Sequence, residues 1–279
     1  MTAPKQAKKT SSRGPRTYAW PPMPPHEFEV ISVTSAIGAG LPKPFLIGWA
    51  AKITAECAVD EHDVVSKMIE KGNERHAVDY IKGARYRDMG EKADRGTIVH
   101  SAIEAYLAGD KQTKEVIEAK LTEARVPKEM WKSTAAMISG VMDFLYDFEP
   151  EVFQSESTVY SRKHGYAGTL DLVAKIRVGD SIVPAVIDIK TSKRIYDEVA
   201  LQLCAYARAD FVGLDDGTEA PLLPGDDQTI EYGVVVRPTA SGTYEKQVFT
   251  LTDELYELYL SVLGTAKNLD VLDTVRRPG

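Results

Sequence analysis

The chain has 279 residues, with 34 Lys and Arg against 41 Asp and Glu, a formal charge of −7, and 43% of it is hydrophobic. That is ordinary globular composition, long enough for one α/β domain with added helices or for two domains. Two cysteines, Cys57 and Cys204, exclude a disulfide framework, a four-cysteine zinc site and a four-cysteine iron–sulfur cluster, and the acidic balance argues against a dedicated, tight nucleic-acid binder but not against an enzyme that grips DNA over a small patch and lets go.

Residues 1–27 carry Lys5, Lys8, Lys9, Arg13 and Arg16 with no acid before Glu27, and prolines punctuate their end. Such a stretch is expected to be disordered, either as a basic arm drawn to phosphates or as a solubilising tail. It lacks the apolar core of a signal peptide, and no apolar run in the chain approaches the ~20 residues of a membrane span. A soluble protein of a reducing compartment is the expectation.

From Pro42 to Pro150 the pattern is helical. Phe45, Trp49, Ile53 and Cys57 fall four apart, EHDVVSKMIEKG and RGTIVHSAIEAYLAG continue in the same period, and Met130, Ala136, Met137, Val141, Phe144, Leu145 and Phe148 share one side of a last helix that Pro150 stops. After Pro150 the period becomes two. EVFQSESTVYS, YAGTLDLVAKIRV and SIVPAVIDIKTS read as three strands, with turns at 163–165 and 178–180. A helix over about 195–212, a loop over 213–227, two strands (TIEYGVVVRP, TYEKQVFTL) and a closing helix (DELYELYLSVLGTAKNL) complete the order. The division expected is a tail to 27, a helical region over 28–149, and a catalytic core over 150–279.

Phosphate-binding loops, dinucleotide fingerprints, zinc-protease motifs and nucleophile elbows are absent, and the five histidines have no paired spacing. What stands out is charge where apolar residues belong. In AVIDIK, Ala185, Ile187 and Ile189 take one face of a strand, and Val186, Asp188 and Lys190 the other. In TLDLVAKI, Leu170, Leu172, Ala174 and Ile176 are expected on the buried face, with Thr169, Asp171, Val173 and Lys175 opposite. A hairpin around Gly179 brings Asp171 near Asp188. Two carboxylates that close call for a cation between them, and oxygen ligands select Mg²⁺ or Mn²⁺. On the next helix Gln202 and Tyr206 share a face that docks on the sheet. A substrate or water network, or the backbone, must satisfy them. His100 lies on or beside an apolar stripe, as a core residue or a ligand, with Glu104 one turn later; Glu156 sits on the strand before Asp171.

Taken together, Gly96 to His100 (G-x-x-x-H), Gly168 to Asp171 (G-T-L-D), Asp188 to Lys190 (D-I-K) and Gln202 to Tyr206 (Q-x-x-x-Y) resemble the PD-(D/E)xK nuclease superfamily, specifically its RecB-like exonucleases, which include phage enzymes and CRISPR-associated relatives. The likeness covers residues 96–206. Asp188 stands where many relatives have Glu, and the four cluster-binding cysteines of the CRISPR-associated group are missing, so the resemblance is to a cluster-free member.

The resemblance implies a restriction-endonuclease-like α/β fold: a central mixed sheet flanked by helices, with a helical N-terminal half. It implies that Asp171 and Asp188 bind Mg²⁺ or Mn²⁺ with His100 and the Ile189 carbonyl, and Glu156 is a candidate further ligand. Lys190 orients or deprotonates the attacking water, while Gln202 and Tyr206 position the DNA backbone or Lys190. Arg162 and Lys163 before the acids, and Lys193 and Arg194 after them, are the candidate DNA contacts. The implied setting is recombination, repair or DNA processing in the cytoplasm of a bacterium or phage-infected cell, with DNA and a recombination protein as partners and no membrane. Two rivals remain: a catalytically silent DNA-binding or assembly protein on this fold, and a glycosidase using Asp171 and Asp188 as its carboxylate pair.

Overall fold

The computed structural model describes residues 7–9, 15–225, 229–269, 271 and 275. Its centre is a mixed ten-stranded sheet with helices on both faces, and the helical half precedes most of the sheet in the chain. Among the described residues no helix is long and apolar enough to cross a membrane.

The long strand β5 (Tyr166–Val178) is the hub. One edge runs antiparallel to β4 (Glu151–Ser161). The other edge is shared. At Tyr166 and Ala167 it pairs in parallel with β3 (Phe28–Ser32), and from Leu172 to Val178 it pairs antiparallel with β6 (Ser181–Ile189). Four residues between, Gly168 to Asp171, have no strand partner on that edge. Beyond β6 the sheet continues to β9 (Tyr232–Pro238), which runs parallel to it, and then to β10 (Tyr244–Thr250), antiparallel to β9. Beyond β4 come β7 (Phe211–Gly213) and β8 (Glu219–Ala220).

Each face of the sheet has its own core. On one side Val159, Val173, Val186 and Val235 pack under α1 (Val33–Gly40), α7 (Val199–Ala207) and α8 (Asp253–Lys267). On the other, Leu172, Ala174, Ala185, Ile187 and Val234 pack under the last turns of α4 (Glu74–Leu107), α5 (Lys114–Glu123) and α6 (Lys128–Phe148). The period of α6 is the one its sequence dictates: Met137, Val141, Phe144 and Leu145 are buried. Glu149 ends the helix in the left-handed region at φ 40°, just before Pro150. The remaining helices, α2 (Phe45–Asp60) and α3 (His62–Glu70), join the first half of α4 in an arm that buries only Cys57, Ala77 and Ala84.

Four expectations need correction. The first 27 residues are not uniformly disordered: β2 (Arg16–Trp20) pairs with β3, and Tyr18, Ala19 and Trp20 are buried. The reason is local, since Trp20 packs on Tyr160 and Phe211 while the surrounding basic composition masks this short aromatic run. Of the basic residues, Lys8 and Lys9 belong to a short strand, β1 (Ala7–Lys9), paired with β2; Lys5 and Arg13 lie outside the described residues. The region after 27 opens with strand β3 rather than helix. Finally, Leu170 packs in the core of Val173, not in that of Leu172, Ala174 and Ile176. Strict alternation breaks there, opposite an irregularity in β4 described below. The helix expected over 195–212 is shorter, and its C-terminal part is β7.

Candidate metal centre

Glu156 lies across from Asp171 in the register that pairs Ser155 with Leu172 and Ser157 with Leu170. Its φ of 48° is left-handed, a conformation that costs a non-glycine residue about 1–3 kcal/mol and turns it out of the ladder. The strain brings its carboxylate to His100. The Nδ1 of His100 is 3.3 Å from Glu156 Oε1 and 3.4 Å from Asp171 Oδ1, and one donor atom from each of the three residues lies within 4.8 Å of the others. The other ring nitrogen, Nε2, is 3.1 Å from the Ile189 carbonyl. With Nε2–H donated to that carbonyl, Nδ1 faces the two acids: as imidazolium the ring donates its Nδ1–H to them, and only after losing that proton does it offer a lone pair to a cation. One lone pair of the Ile189 carbonyl is occupied in this way.

Asp171 fills the unpaired stretch of β5. Its Oδ2 accepts the Ile189 N–H at 2.6 Å, taking the place of a strand carbonyl at the end of β6. Two glycines make room around it. A Cβ on Gly168 would come within 2.6 Å of the Tyr206 ring, so only glycine lets that tyrosine lie against β5. Gly96, one turn before His100 on α4, faces Thr191 at 3.3 Å from where its Cβ would stand, which brings this helix close to the chain leaving β6.

Asp188 lies on the α7 side of β6, as alternation requires, and its side chain is only 3% exposed. Gln202 Nε2 donates to its Oδ1 at 2.8 Å, and Lys190 Nζ donates to the same oxygen at 3.0 Å. Lys190 also donates to Gln202 Oε1 (3.3 Å), and Gln202 Nε2 reaches the Tyr206 hydroxyl (3.3 Å). The buried amide of Gln202 is therefore satisfied by side chains rather than by backbone. Asp188 Oδ2 lies 2.9 Å from the ammonium yet makes no well-directed hydrogen bond.

The charges set one another. Burial opposes the imidazolium of His100, but the Asp171 and Glu156 carboxylates outweigh it and hold its pKa well above the ordinary value. Burial also raises Glu156 and Asp188, in both cases with help from Asp171. Asp171 goes the other way despite its burial, lowered by His100, Lys190 and the Ile189 N–H. Burial disfavours the Lys190 ammonium, and Asp188 and Asp171 overcome it, so the lysine stays protonated. Tyr206, buried among these acids, is held well above its usual range and remains a neutral hydroxyl.

No known family model matches this sequence, and no curated protein does.

The donor set suits a hard divalent cation. One imidazole and the carboxylates of Asp171 and Glu156 converge, and the neighbouring Asp188 keeps a buried oxygen with no hydrogen bond. His100, Glu156 and Asp171 are thus the residues that could hold Mg²⁺ or Mn²⁺ directly. Asp188 stands beside that triad, tied to Lys190 and Gln202.

The expected DNA contacts separate into two groups. Lys193 and Arg194 are exposed on the loop after Lys190, with the Arg194 guanidinium 4.6 Å from the centre of the Tyr196 ring. Arg162 and Lys163 sit at the β4–β5 turn, about 16 Å along β5 from Asp171 at ~3.3 Å per residue. Arg162 is committed there to Glu219 (2.5 Å) and Glu27 (3.3 Å). The structure does not bring these two to the acids.

Sequence reasoning missed the other rim of the site. Arg95 donates to the Thr191 carbonyl (3.4 Å), and its buried Nε has no hydrogen-bond partner among the described residues. Phe45 stacks on Tyr196 at 5.1 Å, and Lys43 pairs with Glu198 at 3.3 Å. A cavity of about 140 Å³ opens between them, lined by Thr34, Lys43, Lys190, Ser192, Tyr196 and Gln202. Only its position next to Gly96 singled out Arg95, and a lone helical arginine is ordinary.

Proposed function

We propose that this protein is a metal-dependent deoxyribonuclease of the PD-(D/E)xK, RecB-like type, acting as an exonuclease in DNA recombination, repair or processing in a bacterial or phage-infected cytoplasm. The observation that carries this reading is the convergence of His100 from α4, Glu156 from β4, Asp171 from β5 and the Asp188–Lys190 dyad from β6 at the one stretch where β5 lacks a partner on one edge. A cluster of like charges that is supported by strained backbone and buried hydrogen bonds is costly, and such sites serve chemistry more often than stability.

Mg²⁺ or Mn²⁺ held by His100, Glu156 and Asp171 would lower the pKa of a water and polarise the phosphate. The chain's own groups do the rest. The Ile189 carbonyl orients the imidazole, and the Ile189 N–H holds Asp171 in place. Lys190, kept as an ammonium by two carboxylates, offers a charged donor to the attacking water and to the phosphate oxygen on which charge develops. Gln202 and the neutral Tyr206 hydroxyl hold Asp188 and Lys190 in register. Lys193 and Arg194 supply sequence-independent phosphate contacts on one side. Preference for DNA ends fits a site whose rim is crowded by the start of α2 at Tyr196 and by α4 at Thr191.

The test uses end-labelled linear DNA and covalently closed circular DNA with Mg²⁺, Mn²⁺ or EDTA, beside Lys190→Ala. Metal-dependent loss of the linear form alone, abolished by the substitution, is the expected result. Equal cutting of circular DNA overturns the exonuclease reading, and no cutting under any metal leaves a DNA-binding protein without the chemistry.

A further inference from the structure

On the face of the molecule built by α5 and α6 lies a groove of about 670 Å³ that contains none of the residues of the metal centre. Its floor is Leu121 and Ile138, both buried, and Ile117, Trp131 and Met142 form half-buried walls. These are residues of two amphipathic helices whose outer stripes meet with no third element of the described residues covering them. Along α6 the groove runs from Lys128 to Met142, about 21 Å at ~1.5 Å per residue, the length of roughly six residues of extended chain.

The rim has the opposite sign from the rest of the protein. In a chain of net charge −7, the groove is bordered by Lys114, Lys128 and Lys132 against the single acid Glu118. Lys114 and Glu118 form an exposed 3.7 Å pair, which contributes little, while Lys128 and Lys132 are exposed and in no ion pair among the described residues. The Trp131 indole N–H is already given to the Val126 carbonyl at 2.9 Å, so the ring presents an apolar face. Aromatic and methionine walls with a charged rim are the composition of peptide-binding hot spots. The aliphatic floor, the single aromatic ring and the absence of arginine argue against a nucleic-acid strand, which is gripped by stacking platforms and guanidinium groups.

We propose that the α5–α6 groove docks a short acidic peptide segment of another protein, with leucine- or phenylalanine-type side chains seated over Trp131 and Met142 and carboxylates facing Lys128 and Lys132. The mode is an apolar anchor in a groove, with register fixed by charge at the rim.

The experiment is fluorescence anisotropy of the full-length protein with a fluorescein-labelled ten-residue peptide alternating Asp with Leu and Phe, beside the same peptide with Lys for Asp. Saturable micromolar binding of the acidic peptide only is expected, with affinity reduced about tenfold or more in the surface variant Lys128→Glu/Lys132→Glu and also reduced by Met142→Ala. The proposal is overturned if neither peptide binds, if the lysine peptide binds as well, or if charge reversal leaves the affinity unchanged. Displacement of the acidic peptide by a single-stranded oligonucleotide with the same lysine dependence also overturns it, in favour of a nucleic-acid groove. None of these outcomes depends on nuclease activity.

Discussion

In β5 and β6 every residue from Leu172 to Ala174 and from Ala185 to Ile189 is buried, whereas between Phe45 and Arg95 only Cys57, Ala77 and Ala84 are. The two regions meet at the site, one through Asp171 and Asp188, the other through Phe45 and Arg95. Their difference has a physical logic. Charges of one sign held close together are expensive, and they stay in place only where rigid, close-packed elements over-determine them. The arm carries no such load. Its nine Lys and Arg among ten Asp and Glu leave it nearly neutral, and its exposed Val59, Val64, Ile69 and Met89 give it little core.

The contrast is broken most directly at the centre itself. Asp171→Ala removes one arm of the triad and the acceptor for the Ile189 N–H. The cleavage rate is expected to fall about 10³-fold or more, in line with the loss of a preorganised electrostatic group. Single-turnover assays at saturating Mn²⁺ read the loss, and a rate within tenfold of the parent's would remove Asp171 from the chemistry. Next in size is the support beneath. Phe144 is fully buried under the sheet, 5.1 Å from Phe148 and 5.6 Å from Tyr244 between ring centres, so Phe144→Ala should cost about 3–5 kcal/mol in urea unfolding.

Gly168→Ala sharpens the link between core and site. The added methyl would lie 2.6 Å from a ring that is itself buried, and neither β5 nor α7 can retreat freely. A loss of about 1–3 kcal/mol is expected, with activity falling as Tyr206 is displaced from Gln202. Gly96→Ala is the milder control. Its methyl meets only the Thr191 hydroxyl at 3.3 Å, and alanine's helix propensity offsets part of the crowding. Similar destabilisation by both substitutions would contradict the asymmetry.

The pH dependence of the metal-free protein follows from His100. Its folded pKa is raised, so its contribution to stability is complete below the unfolded value of ~6.5 and is lost as pH climbs through the folded value. Glu156, also raised, acts with the same sign at lower pH, and Asp171, lowered, with the opposite sign in acid. In EDTA the melting temperature should therefore decline from pH 6.5 to 9, and His100→Gln should flatten that slope. Added Mn²⁺ should stabilise more at the alkaline end, where Nδ1 is no longer held by a proton. A melting temperature that rises over this range would refute the assignment.

Much of this arrangement was legible beforehand, and the exceptions are instructive. Alternation placed Asp188 opposite Ile187 and Ile189, because each face of the sheet has its own core, and the hairpin brought Asp171 to the end of β6, just past the last paired residues, where it accepts the Ile189 N–H. Helical spacing put Gln202 and Tyr206 on the sheet side. The face reversal at Leu170 was hidden because no period within β5 records it: it falls in the stretch without a partner on the β6 edge, opposite the left-handed Glu156 of β4. Trp20 was hidden by its basic surroundings. Arg162 looked like a substrate contact because local sequence contains neither Glu27 nor Glu219, which are 135 and 57 residues away.

The smallest expected effect lies in the arm. Ile69 is 48% exposed on α3, a helix with no buried residue at all. About half of its surface already faces water, so Ile69→Ala should change the unfolding free energy by no more than about 1 kcal/mol. Hydrogen exchange should agree, with amides of α3 and the first half of α4 exchanging well before those of α6, since few apolar contacts must break to expose them. A loss of 2 kcal/mol or more would mean that Ile69 is covered in solution by something that contributes packing energy, a second molecule or the folded-back arm. The neutral, mixed charge of the arm would then be a protein-binding property, and the contrast with the β5–β6 centre would be one between two kinds of buried surface.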